Sequence, residues 1–70
     1  MIKVSRGRCL LQHWLDRRDM SQAEFSRRTG IPRRMISFYC TNTKKMSLEA
    51  MYMASQILSV HMEDLYEWEY

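Results

Sequence analysis

Four arginines flank a glycine and a proline in the stretch RRTGIPRR, residues 27–34. A guanidinium group is permanently charged and carries five N–H donors, so it suits anionic groups such as phosphates. Arg27 and Arg28 fall at the end of one predicted helix, where the helix dipole favours cations. Arg33 and Arg34 fall in the first turn of the next helix, where the dipole disfavours each cation by about 0.3–1 kcal/mol. A helix selected only for stability would carry Asp or Glu there, so the second pair suggests an anionic partner.

Charge is divided unevenly along the 70-residue chain, which has a net charge of +3. Residues 1–45 hold all eleven Lys and Arg against three acids, a net charge of +8. Residues 46–70 hold five acids and no Lys or Arg, a net charge of −5. The first part can attract a polyanion and the second would repel it. A solvated basic face without a partner remains the alternative, because charge alone does not separate the two.

Several classes of protein are disfavoured by what the chain lacks. It has no run of about 18 apolar residues that could cross a membrane and no apolar signal peptide, so a cytoplasmic protein is expected. Two cysteines are too few for a secreted disulfide scaffold, so both are expected to be reduced thiols. Cys9 and His13, with Cys40 and His61 elsewhere, form a poor zinc signature, so no metal or cofactor is expected. Neither histidine belongs to a recognisable catalytic arrangement, and no enzyme is expected.

The elements that position the arginines follow from helical spacing and capping residues. Helix 1 is predicted within SRGRCLLQHWLDRR, residues 5–18. Ser21 and Glu24 predict a capping box at the start of helix 2, and Gly30 is its natural C-terminal cap. Pro32 suits the beginning of helix 3 because it has no amide to leave unpaired. Two short helices joined by the tight corner TGIP form a helix-turn-helix at about residues 21–40.

Helix 3 separates its residues into two faces. At about 100° per residue, one arc of about 140° holds Arg33, Arg34, Ser37, Phe38 and Thr41. The opposite arc holds Met35, Ile36, Tyr39 and Cys40. We expect the apolar arc to pack inward and the basic, polar arc to face solvent or a partner.

The C-terminal third is predicted to complete a small helical core. Ser47 is placed to cap helix 4, LEAMYMASQILSV, whose apolar residues form two stripes. One stripe is Leu48, Met51 and Leu58; the other is Ala50, Met53, Ile57 and Val60. HMEDLYEWEY, residues 61–70, is predicted to form helix 5, with Leu65 and Trp68 facing inward. The predicted fold class is all-α, a compact five-helix bundle in a single domain over residues 1–70, with residues 47–70 supplying core and a potential interface.

With these segments in view, the chain resembles the Cro/CI-type, phage-repressor-like helix-turn-helix family, also called XRE. The resemblance covers about residues 9–66 and is carried by MSQAEFSRRTGIPRRMIS, SLEAMYMASQILSV and HMEDLY. It implies the lambda-repressor-like fold and a sequence-specific double-stranded DNA-binding transcriptional regulator, a bacterial repressor of phage or prophage type. Helix 3 would then read the major groove.

The resemblance also implies the contacting residues. Gln22 matches a residue that meets the DNA backbone, and four positions of helix 3 match the groove-facing ones: Arg33, Arg34, Ser37 and Phe38. The following loop falls where the family meets phosphates: Thr41, Asn42, Thr43, Lys44 and Lys45. Phe38 departs from the usual polar group, and it could contact a thymine methyl or another protein.

A second departure concerns helices 1 and 3. The family often pairs an arginine at the position of Leu15 with a glutamate at that of Cys40. Losing one buried partner costs about 3–5 kcal/mol, whereas losing both can be neutral. We therefore expect Leu15 and Cys40 to lie within contact distance.

Two questions about partners stay open at the level of sequence. A homodimer on a palindromic site is plausible because one small module rarely grips DNA specifically alone. Its interface is predicted among Tyr52, Met53, Tyr66, Trp68 and Tyr70, unless the tail folds back over helix 4. The second class of function is a protein-interaction module, an antitoxin or an anti-repressor that uses the same fold.

Overall fold

The computed structural model describes residues 3–70, which form four α-helices, one 3₁₀ helix and a two-stranded antiparallel sheet. Met1 and Ile2 lie outside the described residues. In chain order the elements are β1 (Ser5–Cys9), α1 (Leu11–Arg17), α2 (Gln22–Thr29), α3 (Arg33–Cys40), α4 (Leu48–Leu58), the 3₁₀ helix (Met62–Leu65) and β2 (Tyr66–Glu69). Within residues 3–70, no helix is long and apolar enough to cross a membrane.

The expectation of an all-α, five-helix bundle is wrong at both ends of the chain. Ser5–Cys9 was assigned to helix 1 but forms β1, and α1 begins at Leu11. The predicted helix 5 is a single 3₁₀ turn followed by β2. The two strands pair with Ser5 opposite Glu69 and Cys9 opposite Tyr66. Strict alternation of aromatic and acidic residues in YEWEY, residues 66–70, is the strand period, and it outweighs the helical spacing of Leu65 and Trp68.

A β-bulge in β1 explains a glycine near the N-terminus. The register shifts between Arg6 and Cys9, so Gly7 and Arg8 together face Glu67. A Cβ on Gly7 would lie 2.7 Å from the backbone oxygen of Glu67. The two backbones can therefore approach this closely only where residue 7 has no side chain.

The helix-turn-helix forms where the capping residues predicted it. The Ser21 hydroxyl accepts from the Glu24 amide at 3.1 Å, and Gly30 ends α2 with φ of 78°. Two side chains then brace the corner, since the Ser26 hydroxyl donates to the Ile31 carbonyl and the Thr29 hydroxyl accepts from the Ile31 amide. The turn between α2 and α3 is thus held by side-chain hydrogen bonds as well as by the glycine.

The core lies between the four helices and the sheet. Leu11 and Leu15 of α1 and Phe25 of α2 are fully buried, and α3 contributes Ile36 and Tyr39. On α4 the inward residues are Ala50, Met51, Ala54, Ser55 and Leu58. Leu48 was assigned to one apolar stripe with Met51 and Leu58, but it is 70% exposed whereas the other two are buried.

The sheet joins this core through Tyr66, which was predicted to lie in a dimer interface. Tyr66 is instead buried, and its hydroxyl accepts from the Met46 amide at 2.8 Å. The Arg6 guanidinium lies 5.0 Å from the centre of the Tyr66 ring and donates to the Met46 carbonyl at 2.8 Å. Tyr66 therefore fastens the end of the chain to the segment before α4 and has no free surface for a partner.

Candidate nucleic-acid interface

The outward face of α3 carries the arginine pair singled out by the sequence. Arg33, Arg34 and Ser37 are exposed, while Ile36 and Tyr39 are buried on the opposite side. Within residues 3–70, neither Arg33 nor Arg34 has an acidic partner within salt-bridge distance. Their guanidinium groups are therefore available to an external anion.

The other arginine pair is held by the protein itself. Arg28 Nε donates to Glu24 Oε2 at 2.8 Å, and Arg27 binds the other oxygen of the same carboxylate. These hydrogen bonds, first from Arg28 and then from Arg27, lower the pKa of the Glu24 carboxyl. Because the carboxylate is occupied in this way, the predicted capping box is only half formed: Ser21 caps the Glu24 amide, and Glu24 turns to the arginines.

The beginning of α3 adds to the positive potential of this face. Pro32 occupies the cap position of α3 and supplies no side-chain hydrogen bond. The first turn of α3 contains no acidic residue. The first amides of a helix have no intrahelical acceptor and carry the positive end of the dipole. An anion bound beside Arg33 and Arg34 would meet both the side chains and this partial charge.

Phe38 lies at the edge of the same face and is partly exposed. The Lys44 ammonium stands 5.2 Å from the centre of the Phe38 ring, within the range of a cation–π contact. The Phe38 ring thus contacts the ammonium group of Lys44 in the next loop, and part of the ring stays exposed to solvent.

The loop after α3 is tied to the end of that helix. The Thr43 amide donates to the Phe38 carbonyl at 2.8 Å, and the Thr41 hydroxyl donates to the Ser37 carbonyl at 2.9 Å. Asn42 takes the left-handed conformation with φ of 63°. All five predicted loop residues are exposed: Thr41, Asn42, Thr43, Lys44 and Lys45. The structure therefore brings two further cations close to the outward face of α3.

Gln22, the first residue of α2, is held from α1. Its Nε2 donates to Gln12 Oε1 at 2.7 Å, and Gln12 Nε2 in turn donates to Asp16 Oδ1 at 2.8 Å. An amide nitrogen has two hydrogens, so Gln22 keeps one donor for a further acceptor. This chain of hydrogen bonds fixes which way the Gln22 amide faces.

The comparisons with known proteins agree with this geometry. Residues 11–70 match the family model of the Cro/C1-type HTH DNA-binding domain. The chain is also 34% identical, over 99% of its length and 95% of the relative's, to YopS of Bacillus subtilis strain 168, described as an SPbeta prophage-derived uncharacterized HTH-type transcriptional regulator. The chain belongs to the Cro/C1-type HTH family.

In this Cro/C1-type domain Leu15 lies on α1 and Cys40 ends α3. Helices α1 and α3 touch, Leu15 is fully buried, and Cys40 packs against the same core. Burial raises the pKa of the Cys40 thiol to about 11, so this thiol stays protonated at neutral pH. Two uncharged side chains thus stand at the positions where the resemblance implied an ion pair; direct contact between them remains a prediction.

Cys9 and His13, the closest pair of the weak zinc signature in the sequence, lie on different elements of the structure. Cys9 lies in β1 and is buried, whereas His13 lies on α1 and is exposed. The hydrogen bond by which Gln12 holds the Gln22 amide was not predicted from the sequence. The spacing of Gln12 from Asp16, i to i+4 on one helix, is visible in the sequence, but its contact with Gln22 depends on how α1 and α2 pack.

Proposed function

We propose that the chain is a sequence-specific, double-stranded DNA-binding transcriptional regulator, a repressor of phage or prophage type. One observation carries the proposal: the outward face of α3 presents Arg33 and Arg34 without acidic partners in residues 3–70. The prophage origin and regulator description of YopS support the biological setting. The proposed location is the cytoplasm, and the proposal assigns the chain no catalytic step.

Recognition would divide between bases and backbone. Arg33 or Arg34 would form two hydrogen bonds to O6 and N7 of a guanine in the major groove. Ser37 and Phe38 would lie along the same groove, Phe38 against a thymine methyl. Phosphates would be met by the residues around this face, which fix the register without reading sequence: Gln22, Thr41, Asn42, Thr43, Lys44 and Lys45.

Selection of bound sequences from a random duplex library tests this proposal. We expect an enriched motif containing guanine, with affinity that falls steeply as salt rises because phosphate contacts release counterions. Replacing the base-reading arginine, by Arg33→Ala or Arg34→Ala, should cost about 1–3 kcal/mol and relax specificity at one position. Lys45→Ala should weaken binding to all sequences alike.

Arg27→Ala is the matched control, because Arg27 lies in the same helix-turn-helix but is bound to Glu24. It should leave the selected motif unchanged. If Arg33→Ala and Arg34→Ala both retained full affinity and the same motif, α3 would not be the reading helix.

A protein-interaction role, as an antitoxin or an anti-repressor, is the second candidate. The exposed side chains of Leu48 and Tyr52 favour it, because contiguous apolar surface marks protein contacts. This role is supported if the random library yields no motif and no salt-dependent duplex binding. A motif that depends on Arg33 or Arg34 argues against a role without DNA.

A further inference from the structure

Phe38 is joined to the loop after α3 through both its backbone and its ring. The Phe38 carbonyl accepts from the Thr43 amide at 2.8 Å and from the Lys44 amide at 3.3 Å. The same carbonyl accepts from the Thr41 hydroxyl at 3.3 Å. The Lys44 ammonium lies 5.2 Å from the centre of the Phe38 ring. One residue of α3 therefore fixes both the path of this loop and the place of one of its cations.

The hydrophobic core does not account for the Phe38 ring. Large apolar side chains of a small domain usually pack on its core. In residues 3–70 the partly buried apolar side chains that do so include Met35 and Cys40 of the same helix, but not Phe38. The ring is nevertheless only partly exposed, and Lys44 is the neighbour that the structure places over its face. The role of the Phe38 ring therefore lies at the surface.

The other end of the loop is held by the sheet. The Met46 amide donates to the Tyr66 hydroxyl at 2.8 Å, and the Arg6 guanidinium donates to the Met46 carbonyl at 2.8 Å. The backbone is thus held on both sides of Lys44 and Lys45. The freedom that remains to Lys44 lies mainly in its flexible four-carbon side chain, and the ring of Phe38 restricts that side chain.

An aromatic ring holds a cation without cancelling its charge. A carboxylate that binds a cation also neutralises it, as Glu24 does for Arg27 and Arg28. The face of an aromatic ring attracts an ammonium through its quadrupole and has no net charge. Within residues 3–70, Lys44 has no acidic partner within salt-bridge distance. The ammonium has three N–H donors, so the side turned away from the ring can still bind a phosphate oxygen.

We propose that Phe38 is a positioning residue, which holds the Lys44 ammonium in place to bind a DNA phosphate. The inference rests on the proposed function, in which Lys44 meets the backbone, and adds the residue that prepares that contact. This task is independent of the DNA sequence, whereas the proposed contact of Phe38 with a thymine methyl depends on it. The two tasks can therefore be separated by measurement.

Preorganisation of the lysine explains why the ring strengthens binding. A free lysine side chain occupies many rotamers and loses that freedom when it binds a phosphate. Because the ring of Phe38 already restricts Lys44, less entropy is lost on binding. Cation–π contacts at exposed sites are weak, so we expect the ring to raise the affinity for DNA about two- to fivefold.

The test compares Phe38→Leu, Lys44→Ala and the double variant on a selected duplex and an unrelated duplex. Phe38→Leu keeps an apolar side chain that can still meet a methyl group, but it removes the aromatic face. We expect it to weaken binding to both duplexes about two- to fivefold. In the Lys44→Ala background, Phe38→Leu should hardly change binding to the unrelated duplex, because the cation that the ring positions is gone.

Lys45→Ala is the matched control, because Lys45 is the next exposed cation and lies over no aromatic ring in residues 3–70. The effects of Phe38→Leu and Lys45→Ala should simply add. Phe38→Tyr keeps the aromatic face and should bind the unrelated duplex as wild type does. The slope of log affinity against log salt should become shallower in Phe38→Leu, by at most about 0.9, the value for one phosphate.

Nuclear magnetic resonance tests the positioning without DNA. Protons above the face of an aromatic ring are shifted upfield by its ring current. The ε-methylene protons of Lys44 should show this shift in wild type and in Phe38→Tyr and lose it in Phe38→Leu, while those of Lys45 stay unchanged. Folding should persist in these variants, because the ring of Phe38 does not pack on the core, and circular dichroism checks that it does.

Three results would overturn the inference and leave DNA recognition by α3 intact. They are full affinity of Lys44→Ala, a loss in Phe38→Leu that is confined to the selected duplex, and an equal loss from Phe38→Leu with and without Lys44. The second would leave Phe38 with base reading only, and the third would show a structural role. Absence of duplex binding by the wild-type chain would overturn the proposed function, and the inference with it.

Discussion

At the scale of single residues, neighbours decide what an arginine can do. All four arginines around the turn are exposed, and their spacing in the sequence is symmetrical. Arg27 and Arg28 share the carboxylate of Glu24, because that residue lies three and four positions earlier on the same helix. Arg33 and Arg34 begin a helix that has no acid in its first turn. One glutamate within reach of one pair therefore decides which arginines are available to an external anion.

Gln12 is predicted to position Gln22 for a phosphate contact. Gln12→Ala removes the acceptor that holds Gln22 Nε2, so the Gln22 amide becomes free to rotate. We expect affinity to fall several-fold for selected and unrelated duplexes alike, because a typical hydrogen bond contributes about 1 kcal/mol and this one reads no base. Fluorescence anisotropy with a selected duplex and an unrelated duplex measures both effects.

His13→Ala is the control for this prediction, since His13 is the exposed neighbour of Gln12 on α1. It should bind as wild type does. If Gln22→Ala weakened binding and Gln12→Ala did not, Gln12 would have no positioning role.

At the scale of elements, local chemistry predicted the helix-turn-helix but not the ends of the chain. Ser21, Gly30 and Pro32 each act within a few residues of their own position, so the corner between α2 and α3 could be read directly. The sheet joins residues that lie far apart in the sequence, such as Ser5 and Glu69, and no local signal in residues 5–9 specifies that pairing. The alternation of aromatic and acidic residues in YEWEY has the period of a strand. It was a better guide to β2 than the helical spacing of Leu65 and Trp68.

In the candidate site too, local features were predicted from the sequence and contacts between elements were not. The outward arc of α3 was predicted from helical geometry, because periodicity alone sorts Arg33 from Ile36. Contacts between elements were not predicted: Lys44 over Phe38, Gln12 beside Gln22, and the exposure of Leu48 all depend on how helices pack. Those contacts decide which predicted residues are free and which are held.

Gly7 is predicted to be required for pairing of the two strands. In Gly7→Ala the added methyl would meet the Glu67 carbonyl oxygen at 2.7 Å, so the backbones must separate at the bulge. Overpacking of this kind costs about 1–3 kcal/mol. Urea unfolding should show that loss, and Arg8→Ala, an exposed change in the same strand, should stay within about 0.5 kcal/mol of wild type. Equal stability of Gly7→Ala and wild type would mean that β1 can shift freely.

At the scale of the whole molecule, charge and burial are arranged around one core. The basic residues of the helix-turn-helix and the acidic residues of the C-terminal third lie on a domain with a Cα radius of gyration of 11.7 Å. The acids of the C-terminal third lie on α4, the 3₁₀ helix and β2, and Glu67 of β2 lies 3.8 Å from the guanidinium of Arg8 on β1. A polyanion would be drawn instead to the outward face of α3 and the loop after it, where Arg33, Arg34, Lys44 and Lys45 have no acidic partner within salt-bridge distance in residues 3–70.

The same core buries three weak acids, and this predicts how stability depends on pH. Burial is the main cause that raises the pKa of Cys9, Tyr66 and Cys40, the last to about 11. A group whose pKa is higher in the folded state stabilises the fold fully below its unfolded pKa and loses that effect as pH rises through the folded value. For Cys40 the loss should run from about pH 9 to about pH 11. Each such group removes at most about 1.4 kcal/mol of unfolding free energy per pH unit in that window.

Urea unfolding under reducing conditions should therefore give equal free energies at pH 7 and pH 8 and a clear fall by pH 10. Cys40→Ala should begin from a lower stability, because it leaves a small void, and should fall less steeply above pH 9. An identical slope in Cys40→Ala and wild type would show that the thiol of Cys40 ionises in the folded protein as readily as in the unfolded chain.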